Sequence, residues 1–265
     1  MEAITRTYDP ITLDEMSGIK LMNRTDTKFV TTVDRLRLLL ALARDDYRVQ
    51  DIDGQRIANY YTAYFDTPDT NMYIVHQNGH AGRQKLRIRS YVDSGLNFLE
   101  VKSKNNHGRT KKKRVDMLDF DPNHPDHGIR FQRQDAQFRS YDEFLRKHLH
   151  YDPTILTEHL ENHFRRITLV NKAKTERVTI DTDLCFHNIK TDRDVDLTGL
   201  VIIEVKRDGL QPSPILGMLR DLRIKPCGFS KYCIGSALTN PALKRNNFKE
   251  RLRLVERLLS RAQSC

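Results

Sequence analysis

The 265-residue chain contains no tryptophan and only four cysteines, Cys185, Cys227, Cys233 and Cys265. They form no CxxC pair and lie scattered through a long chain, which argues against a thiolate zinc site or a disulfide framework and fits a reducing compartment. No apolar run of about 18 residues occurs, and the opening MEAITRTYDP is too polar for a secretory leader. The expectation is an unexported, cytoplasmic chain. There is no Walker A sequence, no GxSxG elbow and no HExxH pair, so a glycine-rich phosphate cradle, a serine triad and zincin chemistry all drop out. Any chemistry must rest on ions and on positioning.

What the chain has in excess is positive charge, 45 Lys and Arg against 35 Asp and Glu, for a net charge of +10. With 38% hydrophobic and 30% charged residues it can bury one substantial core, and a single domain over residues 1–265 is expected. Nearly all of the net charge sits in residues 83–115, RQKLRIRSYVDSGLNFLEVKSKNNHGRTKKKRV. Within KLRIRSYV, Leu86 and Ile88 alternate with Lys85, Arg87 and Arg89, the period-2 signature of a strand with one aliphatic and one cationic face. A turn at DSGLN leads to FLEVKSK, where Leu99 and Val101 oppose Glu100, Lys102 and Lys104. In RTKKKRVDM, Val115 and Met117 on the apolar side leave Lys112, Arg114 and Asp116 on the polar side, the parity among Lys111, Lys112 and Lys113 being the least determined.

The same design recurs. Arg24, Asp26 and Lys28 alternate with Thr25, Thr27 and Phe29; Arg166 and Thr168 oppose Ile167 and Leu169; Arg177, Thr179 and Asp181 oppose Val178 and Ile180; Glu204 and Lys206 oppose Val201, Ile203 and Val205. A sheet of such strands turns its ionic face to water unless it curls into a barrel whose outer, apolar surface is covered by helices. The expected fold is therefore α+β, a barrel with a charged lumen and flanking helices. Cations packed in a lumen repel one another and call for a polyanion, with Arg and Lys together favouring phosphate. A carboxylate among them, Glu204, suggests a hard divalent ion bridging to phosphate oxygens.

Helices are expected around LDEM, over TVDRLRLLLALARDD with Thr31 and Asp34 as a capping box, and from about Asp69 to Gln77. Others are expected within FQRQDAQFRSYDEFLRKHLHY, with Phe138, Phe144, Leu145 and Leu149 as core contacts, and from near Pro214. Residues 240–265 form an amphipathic helix, with Leu252, Val255, Leu258 and Leu259 at helical spacing, that packs on the barrel wall. His124 and His127 lie in a proline-containing loop and read as solvated; His148, His150, His159 and His163 read as ordinary surface or core residues.

Eight segments in order, NRTDTKFV, YFDTPD, LRIRSY, FLEVKSK, FRRITLV, RVTIDTDL, LVIIEVK and GFSKYCIG, resemble the VTC-type (vacuolar transporter chaperone) catalytic domain of the triphosphate tunnel metalloenzyme, or CYTH-like, superfamily, over about residues 10–240. The resemblance implies an eight-stranded antiparallel tunnel. In the polymerase members such a tunnel moves the γ-phosphate of ATP onto a growing inorganic polyphosphate chain with Mn²⁺ or Mg²⁺. It casts Lys28, Arg87, Arg89, Lys102, Lys112, Arg166 and Arg177 as phosphate ligands, Ser230 and Lys231 as the pair beside the phosphate, and Glu204 as the metal ligand; Lys206, on the same polar face as Glu204, is expected to join the phosphate ligands. Lys231, Ser230, Arg87 and Arg89 are the catalytic candidates. Arg24, Asp26 and Lys28 stand where the superfamily's hydrolases carry ExExK, which favours the VTC branch. Phe164 stands where some VTC domains have Tyr, and Gly228 where eukaryotic ones have Lys, with Lys225 nearby to compensate.

Three functions follow for comparison: an ATP–polyphosphate phosphotransferase, a metal-dependent hydrolase of tripolyphosphate or nucleoside triphosphate, and a non-catalytic binder of polyphosphate or nucleic acid. The arginines alternate with apolar residues rather than forming a stripe interleaved with aromatics, which speaks against specific nucleic-acid binding. ATP and polyphosphate are the expected partners. Translocation of a product would need a separate membrane protein.

Overall fold

The computed structural model describes residues 1–17, 19, 24–105, 110–118, 120–122, 136–209 and 211–262; His124, His127 and Cys265, and the side chain of Phe138, lie outside them. Strands form at the segments where they were expected, and three short ones, over residues 9–11, 47–50 and 193–196, join them. They are β1 (Asp9–Ile11), β2 (Arg24–Thr32), β3 (Tyr47–Gln50), β4 (Ala58–Asp66), β5 (Gln84–Tyr91), β6 (Leu96–Lys104), β7 (Thr110–Asp116), β8 (Thr157–Asn171), β9 (Glu176–Asn188), β10 (Arg193–Asp196) and β11 (Leu200–Asp208). The helices are α1 (Glu2–Thr5), α2 (Leu13–Ser17), α3 (Val33–Ala43), α4 (Asn71–Gln77), α5 (Ala136–His148), α6 (Pro214–Asp221), α7 (Lys231–Thr239) and α8 (Lys249–Ala262). Among the described residues no helix is long and apolar enough to cross a membrane.

Eight strands form one curled antiparallel path in the order β2-β11-β9-β8-β4-β5-β6-β7, with β3 added on β8, β1 parallel to β3, and β10 on β9. Among the described residues its two end strands, β2 and β7, share no ladder. The apolar faces point outward and are covered. Phe29, Ile167, Leu169, Val178, Ile180, Val201, Ile203 and Val205 pack with Leu36, Leu39 and Leu40 of α3 and Ile215 and Leu219 of α6. Leu86, Ile88, Leu99 and Val101 pack with Tyr141 and Leu145 of α5 and with Leu149. Helices on the outside are what allow the ionic face to line the inside.

The inner face is not ionic throughout. Val30, Tyr64, Leu160, Phe164, Leu184, Phe186, Leu200 and Ile202 form an apolar region filled by Tyr232, Cys233, Ile234 and Ala237 of α7 and by Phe248, Leu252 and Val255 at and within α8. The C-terminal helix, expected to pack on the barrel wall, packs with residues of the inner face, where its apolar stripe meets the apolar end of that face.

A β-bulge divides the two regions. The register of β8 with β9 shifts between His163 and Arg165, and Asp183 on β9 takes φ 51°, a left-handed conformation that aspartate tolerates better than most residues. Before it, Arg177, Thr179 and Asp181 face inward; beyond it Leu184 and Phe186 do. Straight alternation would have sent Asp183 and His187 into the apolar region.

The starts of two helices differ from expectation. Thr31 is buried inside β2, which runs on to pair Thr32 with Leu200, so Thr32 precedes α3 and makes no side-chain cap bond, while Asp34 binds Arg37 at 3.1 Å. The capping-box spacing is lost because the strand outlasts the expected boundary by one residue. In α4, which starts at Asn71 rather than Asp69, the carboxylate of Asp66 accepts the amides of Met72 and Tyr73 at 2.8 and 2.9 Å.

Gly235 of α7 sits against the apolar end, where an added Cβ would lie 2.4 Å from Phe186 Cδ1 and 2.9 Å from Leu160 Cδ2. Gly235→Ala is expected to destabilise the protein by about 1–3 kcal/mol through overpacking, read as a lowered midpoint in chemical denaturation.

Candidate active site

The strand registers put successive rows of charged groups on the ionic part of the inner face. Arg87 of β5 stands opposite Glu100 of β6, which stands opposite Arg114 of β7; Lys85, Lys102 and Lys112 form the next row. On the other side of the curl, Lys28 of β2 is opposite Glu204 of β11, Lys206 is opposite Arg177 of β9, and Arg166 of β8 is opposite Asp181. Ser230 and Lys231 enter from the start of α7: Ser230 caps the helix by accepting from Cys233 N at 3.2 Å, and Lys231 pairs with Asp181. All ten residues assigned to phosphate from the sequence, together with Glu204, therefore converge on this face. Lys111 and Lys113 are exposed and point the other way, as does Val115, while Lys112 reaches Glu100 at 2.9 Å.

Three carboxylates neutralise part of the charge, and each is already engaged. Glu100 accepts two bonds from Arg87, at 2.8 and 2.6 Å, besides Lys112. Asp181 accepts a two-point contact from Arg166, at 2.6 and 2.9 Å, besides Lys231. Glu204 pairs with Lys206 at 2.6 Å and Lys28 at 3.6 Å. Burial alone would raise these carboxyls, but the cations around them hold all three well below the usual range.

The remaining cations lack such partners. Arg89, only 7% exposed, has no carboxylate contact among the described residues; its Nε is unpaired and one terminal nitrogen reaches Thr62 Oγ1 at 3.4 Å. Its guanidinium lies over Tyr60 and Phe164, at 5.6 and 5.7 Å from the ring centroids. Burial, then Arg87 and Arg166, weakens its hold on its proton. Lys102 is pushed well below its ordinary value by burial, then by Arg87 and Arg89. Arg177 keeps an unpaired Nε and touches Met16 O at 3.4 Å. These N–H groups keep donor capacity that no carboxylate among the described residues takes up.

The resemblance did not single out Lys85, Glu100 or Asp181. Lys85 donates to Ser230 Oγ at 2.7 Å and so ties β5 to the start of α7. The signal for all three was in the alternation, since each shares the polar face of its strand with an assigned residue.

Among the described residues no three His, Cys, Asp or Glu side chains gather into an enclosed metal site. Glu204 offers one hard oxygen donor, which suits Mg²⁺ or Mn²⁺ taking its other ligands from phosphate and water.

With this geometry in view, the comparison with family profiles is decisive: the VTC domain matches residues 23–240. The chain belongs to the VTC domain family. Solved structures similar to this VTC protein include a proposed adenylate cyclase from Bacillus halodurans, at 13% identity and a TM-score of 0.47 over 79% of this chain and 96% of that one. Another is a proposed adenylyl cyclase from Hippeastrum with a dominant triphosphatase activity, at 14% identity and a TM-score of 0.47 over 82% of this chain and 97% of that one. No curated protein matches the VTC chain.

Burial lowers Lys85 from 10.5 to about 8, with Lys28, Arg83 and Arg87 adding to the effect against an opposing influence of Cys233. The unfolded chain holds that proton more tightly, so between about pH 8 and 10.5 it binds more protons than the folded one, and stability rises with pH across that window. Thermal denaturation of ligand-free protein at about pH 8 to 10 should show this rise, and Lys85→Met should make it shallower.

Proposed function

We propose that this VTC domain is a polyphosphate polymerase, an ATP–polyphosphate phosphotransferase that works on the ionic inner face. The observation that carries the reading is the engagement of Glu100, Asp181 and Glu204, each bound by two cations. Hydrolysis gains from a free carboxylate that orients and deprotonates water, and none of these three is free. A terminal oxygen of a polyphosphate chain is already an anion and needs no base.

In the proposed reaction a terminal oxygen of the chain attacks the γ-phosphorus of ATP, the bond from that phosphorus to the bridging oxygen of ADP breaks, and the chain grows by one phosphate. Arg87, Arg89 and Arg166 bind the non-bridging oxygens, fix the two reactants in line, and stabilise charge on the transferred group. Lys231 and Ser230 hold the phosphate from the α7 side. Lys28, Lys102, Lys112, Arg177 and Lys206 hold the rest of the polyanion. Mg²⁺ or Mn²⁺, bound through phosphate oxygens and Glu204, would supply further charge neutralisation.

Incubation with ATP and Mn²⁺ or Mg²⁺, with polymer resolved on a gel and free phosphate assayed separately, tests this. Polymer is the expected product; free phosphate without polymer would assign a hydrolase, and neither would assign a binder. Glu204→Ala is expected to abolish the metal-dependent turnover with the outer core intact, and full activity would exclude Glu204 as a ligand.

Arg89→Met gives a second test, since it keeps apolar volume against Tyr60 and Phe164 while removing a charge that lacks a carboxylate partner. Ligand-free stability is expected to hold or rise, whereas tripolyphosphate binding should weaken by about 1.5–3 kcal/mol in titration calorimetry.

A further inference from the structure

The short segment from Cys227 to Ser230 is a meeting point for cations from three separate elements. Lys28 of β2 donates to Phe229 O at 3.1 Å, and the same residue's carbonyl accepts from Cys227 N at 2.7 Å. Lys85 of β5 donates to Ser230 Oγ at 2.7 Å. Arg251 of α8 comes to the open side of Gly228, where a Cβ would stand 3.7 Å from a terminal guanidinium nitrogen and 3.9 Å from Nε. Nothing larger than hydrogen on Gly228 separates Arg251 from the segment.

Arg251 is not spent on a carboxylate. Among the described residues it donates to Asn247 O at 3.3 Å, one turn back on its own chain, and lies over the Phe248 ring at 5.7 Å. His76 of α4 faces the same group and adds no charge: burial, then Lys85, Arg83, Arg251 and Lys28, pushes its imidazole down to about 2. Its buried Nδ1 has no hydrogen-bond partner among the described residues. Glu204, 3.6 Å from Lys28 and shared with Lys206, is the carboxylate that offsets this cluster. Cations brought to one short segment from three packed elements favour an anion beside it.

We propose that Arg251, with Lys28 and Lys85 across the Cys227–Ser230 segment, forms a second phosphate subsite that takes a distal phosphate of a linear polyphosphate whose reacting end lies against Arg87, Arg89 and Arg166. The subsite rests on the polyanion-binding reading above and extends it to a helix outside the matched family span of residues 23–240. It makes α8 part of the substrate path: long chains engage Arg251, and short ones end before it.

The test is titration calorimetry of wild type, Arg251→Ala and Arg251→Lys with tripolyphosphate and with a long linear polyphosphate, alongside the ligand-free melting midpoint of each protein. Arg251→Ala is expected to weaken the long chain by about tenfold, to leave tripolyphosphate nearly unchanged, and to melt like wild type. Arg251→Lys should restore most of the loss. Equal affinity of Arg251→Ala and wild type for the long chain would overturn the subsite while leaving the inner-face reading intact. Equal loss for both ligands with a lowered ligand-free midpoint would reduce Arg251 to a structural role and overturn it as well. Failure of wild type to bind either ligand would overturn the polyanion reading beneath it.

Discussion

The repulsion among cations held on one enclosed face is the constraint to which the rest of the structure answers. Two arginines are matched to carboxylates by two-point contacts, Arg87 to Glu100 and Arg166 to Asp181, and these pairs anchor neighbouring strands. The unmatched guanidinium of Arg89 lies over Tyr60 and Phe164, Arg166 lies over Tyr60 as well, and Arg114 is 4.2 Å from the Phe98 centroid. Ring faces partly replace the water these groups have lost. The strain is contained by what lies behind it, namely strands bonded to their neighbours and backed by apolar clusters under α3, α5 and α6.

The apolar end of the inner face sets the position of the ionic end. Asp66 accepts the amides of Thr67, Met72 and Tyr73 and the hydroxyl of Tyr232, so one buried carboxylate fastens both α4 and α7 to the end of β4. Lys231 precedes Tyr232 and is thereby delivered to Asp181, with its Nζ 4.1 Å from the Phe164 centroid. Phe164 presents a ring and no hydroxyl at this point, so its contribution is to cations and not to phosphate oxygens directly.

Most of the strand framework was legible because the pattern has period 2 and the ionic residues are too many to be accidental. Arg87, Arg166, Lys28 and Glu204 fall on the inner face as alternation requires, and the helices that cover the outer face were visible in TVDRLRLLLALARDD and after Pro214. Three things were hidden. The pairing of each carboxylate with two cations depends on strand neighbours far apart in sequence, as with Arg166 and Lys231 around Asp181. The inward packing of α8 depends on which part of the inner face is apolar, which Leu252 and Val255 alone do not reveal. The bulge at Asp183 carries no glycine or proline to mark it.

That bulge sets a rule for how the protein can change length. Because one added residue exchanges the two faces of a strand, the segment of β9 beyond Asp183 is locked in phase with the part before it. Losing the one extra residue would straighten the ladder and leave Leu184 and Phe186 facing inward, whereas losing two, or gaining one while the bulge persists, would exchange the faces of everything beyond it. Descendants of this sequence should therefore tolerate loss of that one residue, which needs no change across the ladder in β8, better than any other single-residue change of length within β9.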